Sequence, residues 1–497
     1  MRMKEQSESS YRHVLKYTSL FGSVQGLNIL ITLIRSKAMA LLVGAGGMGL
    51  SSLMTSMQSF ASQITNLGIS FGAVPRLSEY YEQQNRHRLE YYIMVIRLWS
   101  VIAAVLGLVF CLVVSTYADQ WSFTWGDHSL HYAMLGFSVA MLALTGGETA
   151  ILKAARQLGS LARIQVFTAV ASAVISIPLY YFLFHSGIVP AILLSTFAVM
   201  VATMWYSYRL YPPKLIFRKS ILSDGAGMIR LGLAFVLAAA IGSASEMFIR
   251  SFLNVEGSLE DVGMYNVGYM IAITYASIVF SSMESDYFPR LSAVSKDIAA
   301  SNEMVNKQKE VSLLLLSPML VALLMFLPIL VPMLFSHEFL PVVDMAQVAV
   351  LAMYFKALTM PVSYITLARS RSLAYLFLET SYFLALVVSV IMGYRWWGIT
   401  GTGVAIVVAH MAEYVLTLGY AYWQYGYRPT LQICRYAVAQ LLLGVLAYVV
   451  SLLLGGWKYW ITEAALAIAS TAYSVYILRQ KTRLWEALMR KLKSPRT

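Results

Sequence analysis

Long apolar stretches recur along the whole chain, separated by short polar breaks. Many run for about 20 residues, the length that a helix needs to cross a hydrocarbon core of about 30 Å. The alternation typical of outer-membrane barrel strands is absent. The pattern therefore predicts an all-α polytopic membrane protein with about fourteen transmembrane helices. The predicted spans are 15–43, 50–75, 92–116, 131–152, 163–184, 188–208, 228–253, 263–285, 311–335, 344–366, 373–394, 398–424, 434–454 and 459–479.

Composition and charge agree with a membrane location. Hydrophobic residues make up 59% of the chain and charged residues 12%, whereas soluble domains carry about 25% charged residues. With both termini in the cytoplasm, all but six of the 37 Lys and Arg face inward, as the positive-inside rule requires. The net charge of +13 then reflects inner loops near anionic lipid, and no nucleic-acid partner is expected. The six exceptions are Arg35, Lys37, Arg250, Lys356, Arg395 and Lys458.

Two stretches of the chain, about 214 residues apart, resemble each other. Each has an Ile-Arg-Ser triplet in an apolar segment, then a glycine that predicts a turn, then a polar-studded helix closing with Pro-Arg-Leu-Ser. These features lie at 34–36, Gly49 and 75–78 in the first copy, and at 249–251, Gly263 and 289–292 in the second. A repeat of this length indicates a transporter built from two homologous bundles.

The repeat divides the chain into two six-helix lobes and an added part. An even number of spans in each lobe relates the lobes by an axis along the membrane normal. The predicted divisions are an N-terminal lobe at 1–215, a C-terminal lobe at 216–428, an additional two-helix hairpin at 429–479 and a basic cytoplasmic tail at 480–497.

Polar residues form stripes on several predicted helices. Spacings of three and four residues place the members of each stripe on one helical face. A stripe that ends in arginine predicts the wall of a polar cavity, although single Ser, Thr and Asn residues also join membrane helices by hydrogen bonds. The stripes are Gln25, Asn28, Thr32 and Arg35; Thr55, Ser59, Ser62, Asn66 and Ser70; Ser243, Glu246 and Arg250; and Thr274, Ser277, Ser281 and Glu284.

Three cations inside the spans are the main candidates for substrate binding, and Lys37 is a weaker one. A charge in the bilayer core costs several kcal/mol unless it has a partner or water. The guanidinium groups of Arg35 and Arg250 suit phosphate oxygens. Pairing of Arg250 with Glu246, of Arg35 with Ser or Asn, and snorkelling are the alternatives. Lys356 has no acidic residue within a turn of its own helix, so it is interpreted as an unpaired cation.

Four buried ionisable residues are candidates for ion coupling: Glu246, Glu379, Glu413 and His410. Ionisable residues in spans often bind protons or sodium. Those in spans eleven and twelve could equally be salt-bridge partners of Lys356, and both readings stay open.

Enzyme motifs are missing from the sequence. Walker A, nucleophile-elbow and HExxH patterns are absent, and Cys111 and Cys434 are too few for a disulfide framework or a zinc site. The glycines at 44–49 match a dinucleotide fingerprint only in part, and they lie at a predicted outer turn. No cofactor is expected, and transport would be driven by an ion gradient, the membrane potential or the substrate gradient.

The segment LIRSKAMALLVGAGGMGL, the Ser-rich helix after it and NLGISFGAVPRLSEYYEQ resemble the opening of a known family. This is the family of Wzx-type O-antigen and polysaccharide lipid flippases, in the multidrug/oligosaccharidyl-lipid/polysaccharide (MOP) exporter superfamily. The resemblance is strongest over residues 15–90. It implies a substrate, undecaprenyl-pyrophosphate-linked oligosaccharide, moved to the outer leaflet of the bacterial cytoplasmic membrane.

The resemblance also implies roles and partners. Cavity cations would take the pyrophosphate, with Arg35 in the best-matching position and Arg250 as its repeat mate. The last two spans would correspond to the pair that receives the lipid tail in lipid II flippases. Partners would be the lipid-linked glycan, membrane lipids and other glycan-assembly proteins. The competing readings are a multidrug/cation antiporter of the same superfamily, a membrane glycan polymerase or ligase, and a non-transporting scaffold.

Overall fold

Helices account for nearly all of the chain. The computed structural model describes residues 2–122, 128–213, 221–274, 280, 287–369 and 371–481, and no strand occurs among them. The helices are α1 Arg2–Thr65, α2 Ile69–Glu82, α3 Arg86–Ser122, α4 Ser129–Ala154, α5 Leu158–Leu183, α6 Ile188–Leu210, α7 Ile221–Glu256, α8 Leu259–Tyr269, α9 Ile298–Leu334, α10 Val342–Val350, α11 Ala352–Ala368, α12 Ser372–Tyr425, α13 Leu431–Leu453 and α14 Gly456–Lys481.

Ten helical stretches among the described residues are long and apolar enough to cross a membrane. Three of them contain a backbone break: at Gly44 in α1, at the 3₁₀ turn Phe184–Gly187 between α5 and α6, and at Trp397 and Gly398 in α12. These three stretches have 40, 52 and 54 residues, which is long enough for two crossings each. The predicted all-α polytopic class is confirmed, and the predicted span 263–285 lies partly outside the described residues.

The break in α1 occurs at the start of the glycine-rich stretch. Gly44 has φ 66° and ψ −168°, a conformation that glycine adopts without steric cost. The carboxylate of Glu338 lies over this break, and its Oε1 accepts a hydrogen bond from the Ala45 amide at 3.2 Å. A negative charge at the first amides of the new helical segment offsets their unpaired donors and the positive end of the helix dipole.

The turn predicted at Gly263 is wrong, and the Gly-rich turn predicted to end at Gly49 is present only as the break at Gly44. Gly49 and Gly263 both lie within helices. They mark the crossing of two repeat-related segments. A Cβ added to Gly49 would lie 1.8 Å from the Leu259 carbonyl oxygen, and one added to Gly263 would lie 2.1 Å from the Ala45 oxygen. Each of these Cβ positions is 3.1 Å from the other glycine's amide nitrogen. The repeated glycine therefore permits close backbone packing.

The second predicted span, 50–75, is also not one continuous helix. Helix α1 ends at Thr65, and Leu67 and Gly68 have φ values of 55° and 71° before α2 begins. The Asn66 side chain accepts a hydrogen bond from the Gly68 amide at 2.9 Å, which is the local bonding that makes asparagine a turn former. The predicted stripe on this span is therefore interrupted after Ser62.

The chain forms two compact units. The first comprises Met1–Gly263 with Leu334–Glu338, and the second comprises Met264–Met333 with Phe339–Thr497. Helix α7 packs on α1, α2 and α3 and so belongs to the first unit, whereas the sequence assigns it to the second lobe. The predicted boundaries at 215, 428 and 479 stay predictions about homologous lobes, and the tail at 482–497 lies outside the described residues.

Candidate functional site

Arg250 on α7 is a buried cation with a carboxylate partner. Arg250 is 8% exposed. Its Nη1 donates to Glu246 Oε2 at 3.0 Å, one helical turn earlier, and its Nε donates to Ser52 Oγ on α1 at 2.6 Å. The pair was one of the open alternatives in the sequence, and the contact with Ser52 joins α7 to α1. Glu246 itself keeps a side chain that is 43% exposed.

Arg35 on α1 has a different environment. Its Nη1 donates to Ser172 Oγ on α5 at 2.8 Å, and the side chain is half-buried. Among the described residues it has no carboxylate partner. The guanidinium group therefore keeps an uncompensated positive charge and further donors for a ligand.

The other predicted cavity residues are spread along α1. Asn28, Thr32 and Lys37 are half-buried, as is Ser62 beyond the break. Asn66 is engaged in its turn, and the side chain of Gln25 lies outside the described residues, as do those of Thr274, Ser277, Ser281 and Glu284.

In the second unit, Lys356 on α11 is not an unpaired cation, because the salt bridge with Glu413, one of the two readings that the sequence left open, is present. Its Nζ lies 3.4 Å from Glu413 Oε1 on α12 and 5.5 Å from the centroid of the Tyr382 ring. Glu379, also on α12, interacts electrostatically with the same amine. Both carboxylates come from another helix, as the salt-bridge reading of the sequence required.

His410 completes this cluster from within α12. Its Nδ1 lies 2.9 Å from the Ile406 carbonyl oxygen, and its Nε2 lies 3.4 Å from the Tyr382 hydroxyl. A carbonyl can only accept, so Nδ1 carries the proton and Nε2 accepts from Tyr382. The residue is 1% exposed, and the neutral imidazole fits both contacts.

The cluster of Lys356, Glu379, His410 and Glu413 contains more acid than base. One amine faces two carboxyl groups, and Glu413 Oε2 is buried without a hydrogen-bond partner among the described residues. Such a set can exchange a proton or hold a small cation more readily than it can hold a pyrophosphate. No group of three His, Cys, Asp or Glu in the described part of the chain could hold a metal ion.

A further buried ion pair, absent from the sequence-based candidates, lies in the first unit. Arg97 on α3 donates through Nε to Glu148 Oε1 on α4 at 2.8 Å and through Nη2 to Glu148 Oε2 at 3.2 Å. Nη2 also donates to the Tyr211 carbonyl at 2.9 Å, and Ser207 Oγ donates to Glu148 at 2.5 Å. The sequence signal that could have revealed this pair is Glu148, a glutamate inside the predicted span 131–152.

Lys309 on α9 was also missed, because it lies in the polar run NKQKEV that resembles an inner loop. It is fully buried, and its Nζ has no hydrogen-bond partner among the described residues. The amine lies 5.3 Å from the Tyr414 ring centroid and 5.0 Å from that of Tyr427. Ring faces attract a cation, so aromatic side chains replace a counter-ion here.

Similarity to known proteins agrees with this architecture. The model of the polysaccharide biosynthesis protein family matches residues 39–344, more than half of the chain. The chain belongs to the polysaccharide biosynthesis protein family. The resemblance found in the sequence is thus confirmed at the level of the family. No curated protein matches the chain.

Solved structures with the same fold are membrane transporters. An inward-facing multidrug resistance MATE transporter of the MOP superfamily has a TM-score of 0.67 at 14% identity, covering 81% of this chain and 94% of that one. The lipid II flippase MurJ, in an inward closed conformation, has a TM-score of 0.66 at 14% identity, covering 93% and 99%. A MOP superfamily transporter from Pyrococcus furiosus has a TM-score of 0.51 at 14% identity, covering 82% and 93%. At such identity, the likeness establishes the fold.

Proposed function

We propose that this member of the polysaccharide biosynthesis family is a flippase for a polyprenyl-pyrophosphate-linked oligosaccharide. It would move an O-antigen or other surface-polysaccharide unit from the inner to the outer leaflet of the bacterial cytoplasmic membrane, with both termini in the cytoplasm. The sugar and pyrophosphate would pass through a polar path by alternating access while the polyprenyl tail stays in lipid.

The observation that carries this proposal is the combination of family and fold. A chain of a glycan-building family shares a fold with a lipid II flippase over 93% of its length. The multidrug transporter covers 81%, and the difference is about the length of a helix pair such as α13 and α14. A helix pair outside the common lobes suits a substrate whose long tail stays in the bilayer.

Arg35 is the residue that we expect to meet the pyrophosphate. Of the three predicted cations, Arg250 and Lys356 already contact carboxylates, whereas Arg35 contacts only the Ser172 hydroxyl among the described residues. An oxyanion could bind its remaining donors without first displacing a carboxylate. The cluster around Lys356 would then serve ion coupling, with Glu413, Glu379 and His410 as the proton or sodium ligands.

A cation antiporter is the second candidate. The excess of carboxyl groups around Lys356 favours it, because acidic walls attract cationic drugs. It predicts that glycan export does not depend on Arg35.

The test is glycan export by the full-length protein in a strain that lacks its own flippase. Arg35→Ala should reduce export about ten- to a hundred-fold, since hydrogen bonds to a charged group contribute about 1.5–3 kcal/mol. Arg35→Lys should keep part of the activity, because the charge survives without the two-pronged geometry.

Two controls separate transport from folding. Ser172→Ala removes the hydroxyl that Arg35 contacts and should leave export within about two-fold, since one neutral partner contributes about 1 kcal/mol at most. Arg86→Ala removes a cation whose side chain is 88% exposed and should be silent. Wild-type export by Arg35→Ala, at equal amounts of inserted protein, would refute the anion path and favour the antiporter.

A further inference from the structure

Glu463 on α14 is a buried carboxylic acid in surroundings that do not stabilise a negative charge. The residue is 0% exposed, and neither carboxyl oxygen has a hydrogen-bond partner among the described residues. No ion pair involving it occurs in the same part of the chain. It differs in this from Glu413, which is similarly buried but contacts Lys356.

The neighbourhood of Glu463 is held together by Tyr459, one helical turn earlier on α14. The Tyr459 hydroxyl lies 2.8 Å from the Met325 carbonyl oxygen and 3.3 Å from that of Leu324, both on α9. Pro328 has no amide hydrogen and cannot bond the Leu324 carbonyl four residues earlier. The Tyr459 hydroxyl therefore replaces the amide donor that proline lacks, and this contact holds α14 against α9. We call α14 seated on α9 while this contact is made.

In the part of the chain that the structure describes, the other elements near this contact bring no positive charge to Glu463. Helix α10 contributes the Gln347 amide, which lies 3.5 Å from the Leu324 oxygen, and its Asp344 is exposed. Helix α9 contributes backbone carbonyls. Helix α13 joins α14 through Gln440, which is bonded to Ser470 at 2.7 Å and to Ser474 at 2.8 Å.

An ionised Glu463 would therefore be a buried charge without a counter-ion. Such a group costs many kcal/mol, and in practice it takes up a proton instead. A carboxyl group without hydrogen bonds also adds nothing to packing that an apolar residue of similar volume would not supply. Its distinctive property at this place is that it can bind and release a proton.

We propose that Glu463 is a proton-binding site of the C-terminal helix pair, occupied while α14 is seated on α9. Binding converts the carboxylate and one proton into the neutral acid. Release needs water or a cation at the carboxyl group, which the seated α14 excludes, so proton release is linked to loosening of the Tyr459 contact. The site would act in this way whatever substrate the protein carries.

The first test is infrared spectroscopy of the full-length protein in lipid nanodiscs at neutral pH. Wild type should show a protonated-carboxyl carbonyl band that Glu463→Gln removes. Glu148→Gln is the matched control, and it should leave that band in place because Arg97 holds Glu148 as a carboxylate through two hydrogen bonds. A Glu463→Gln spectrum identical to that of wild type would overturn the proposal.

The second test begins with the wild-type protein, so its first result does not depend on the folding of a variant. The apolar reagent dicyclohexylcarbodiimide adds to protonated carboxyl groups, and mass spectrometry should find its N-acylurea adduct on Glu463 and at least ten-fold less on Glu148, which is paired with Arg97. Tyr459→Phe, which loosens α14, should lower the labelling of Glu463 several-fold and admit a water-soluble carbodiimide. Equal labelling of Glu463 and Glu148 would count against the proton site, and no change in Tyr459→Phe would count against its link to the Tyr459 contact.

Discussion

Arg97 in the first unit and Lys309 in the second occupy the same place in two helices of equal length. Helices α3 and α9 each have 37 residues, and each cation is the twelfth residue of its helix, counted from Arg86 and from Ile298. Arg97 has a carboxylate, a backbone carbonyl and the Tyr208 ring at 4.5 Å. Lys309 has two tyrosine rings and no hydrogen-bond partner among the described residues.

The difference shows that the two units keep a cation at this position without keeping its partners. In the first unit the charge is neutralised by Glu148, so neither member can be lost without leaving the other buried and unpaired. In the second unit, removal of the Lys309 amine leaves no buried charge without a partner among the described residues. A neutral substitution should therefore destabilise the protein much more at Arg97 than at Lys309.

Glu148→Ala should have the largest effect. It strips Arg97 and Ser207 of their shared acceptor in a pair whose side chains are 14% and 4% exposed. Removing one partner of a buried pair costs about 3–5 kcal/mol. Thermal unfolding followed by fluorescence-detected gel filtration should show a clear fall in the midpoint.

The matched control is Glu82→Ala, which breaks the exposed pair of Glu82 with Arg156. Exposed pairs contribute about 0–1 kcal/mol, so the midpoint should hardly move. Equal shifts for Glu148→Ala and Glu82→Ala would mean that Arg97 finds another partner and that the contrast with Lys309 is false.

Lys309→Met should have a much smaller effect than Arg97→Met. Methionine has a similar volume, and the loss is limited to the attraction of the rings, about 1–2 kcal/mol or less, partly offset by the amine's desolvation. Arg97→Met instead leaves Glu148 as a buried charge. The same unfolding measurement compares the two, and a loss in Lys309→Met as large as in Arg97→Met would reveal an essential partner for the amine.

Tyr427→Phe should have the smallest effect and sharpens the account of Lys309. Burial raises the pKa of the Tyr427 phenol, so its hydroxyl stays protonated and donates to Asn306 at 2.8 Å. Phenylalanine loses this bond, at a cost of about 1 kcal/mol, but keeps the ring face. Tyr427→Leu loses both the hydrogen bond to Asn306 and the aromatic ring face beside Lys309.

A double-mutant cycle isolates the ring contribution. Tyr427→Leu should cost about 0.5–2 kcal/mol more with Lys309 present than in the Lys309→Met background. Equal costs in both backgrounds would show that the ring packs beside the amine without stabilising it.

Much of the fold followed from local pattern. Apolar length identified the spans, and the spacing of repeated residues identified Gly49 and Gly263 as equivalent positions. Their conformation was not predictable from the sequence, because a glycine that turns a chain and one that lets two helices touch have the same local signature. The break at 66–68 was likewise hidden within a continuous polar stripe.

The candidate site was predictable residue by residue but not pair by pair. Arg250 and Glu246 lie one turn apart, so their contact was foreseeable from helical geometry. Lys356 and Glu413 are on different helices, so the sequence offered their pairing only as one of two readings and packing decided it. Arg97 and Glu148 are also on different helices, and only their packing reveals that pair. At Lys309 the polar neighbours in the sequence suggested a solvent-exposed helix end, whereas the structure buries the residue completely.

The sequence by itself determined that this protein crosses a membrane many times, that two stretches of it resemble each other and that a few charges lie inside its spans. Those properties depend on the transfer energy of short segments and on helical periodicity, which are local. The tertiary structure alone decided which charges are neutralised, which contact aromatic rings, and that Glu463 has no hydrogen-bond partner among the residues that the structure describes. Electrostatic energy depends on distances between helices, and those distances are set by packing that no single segment encodes.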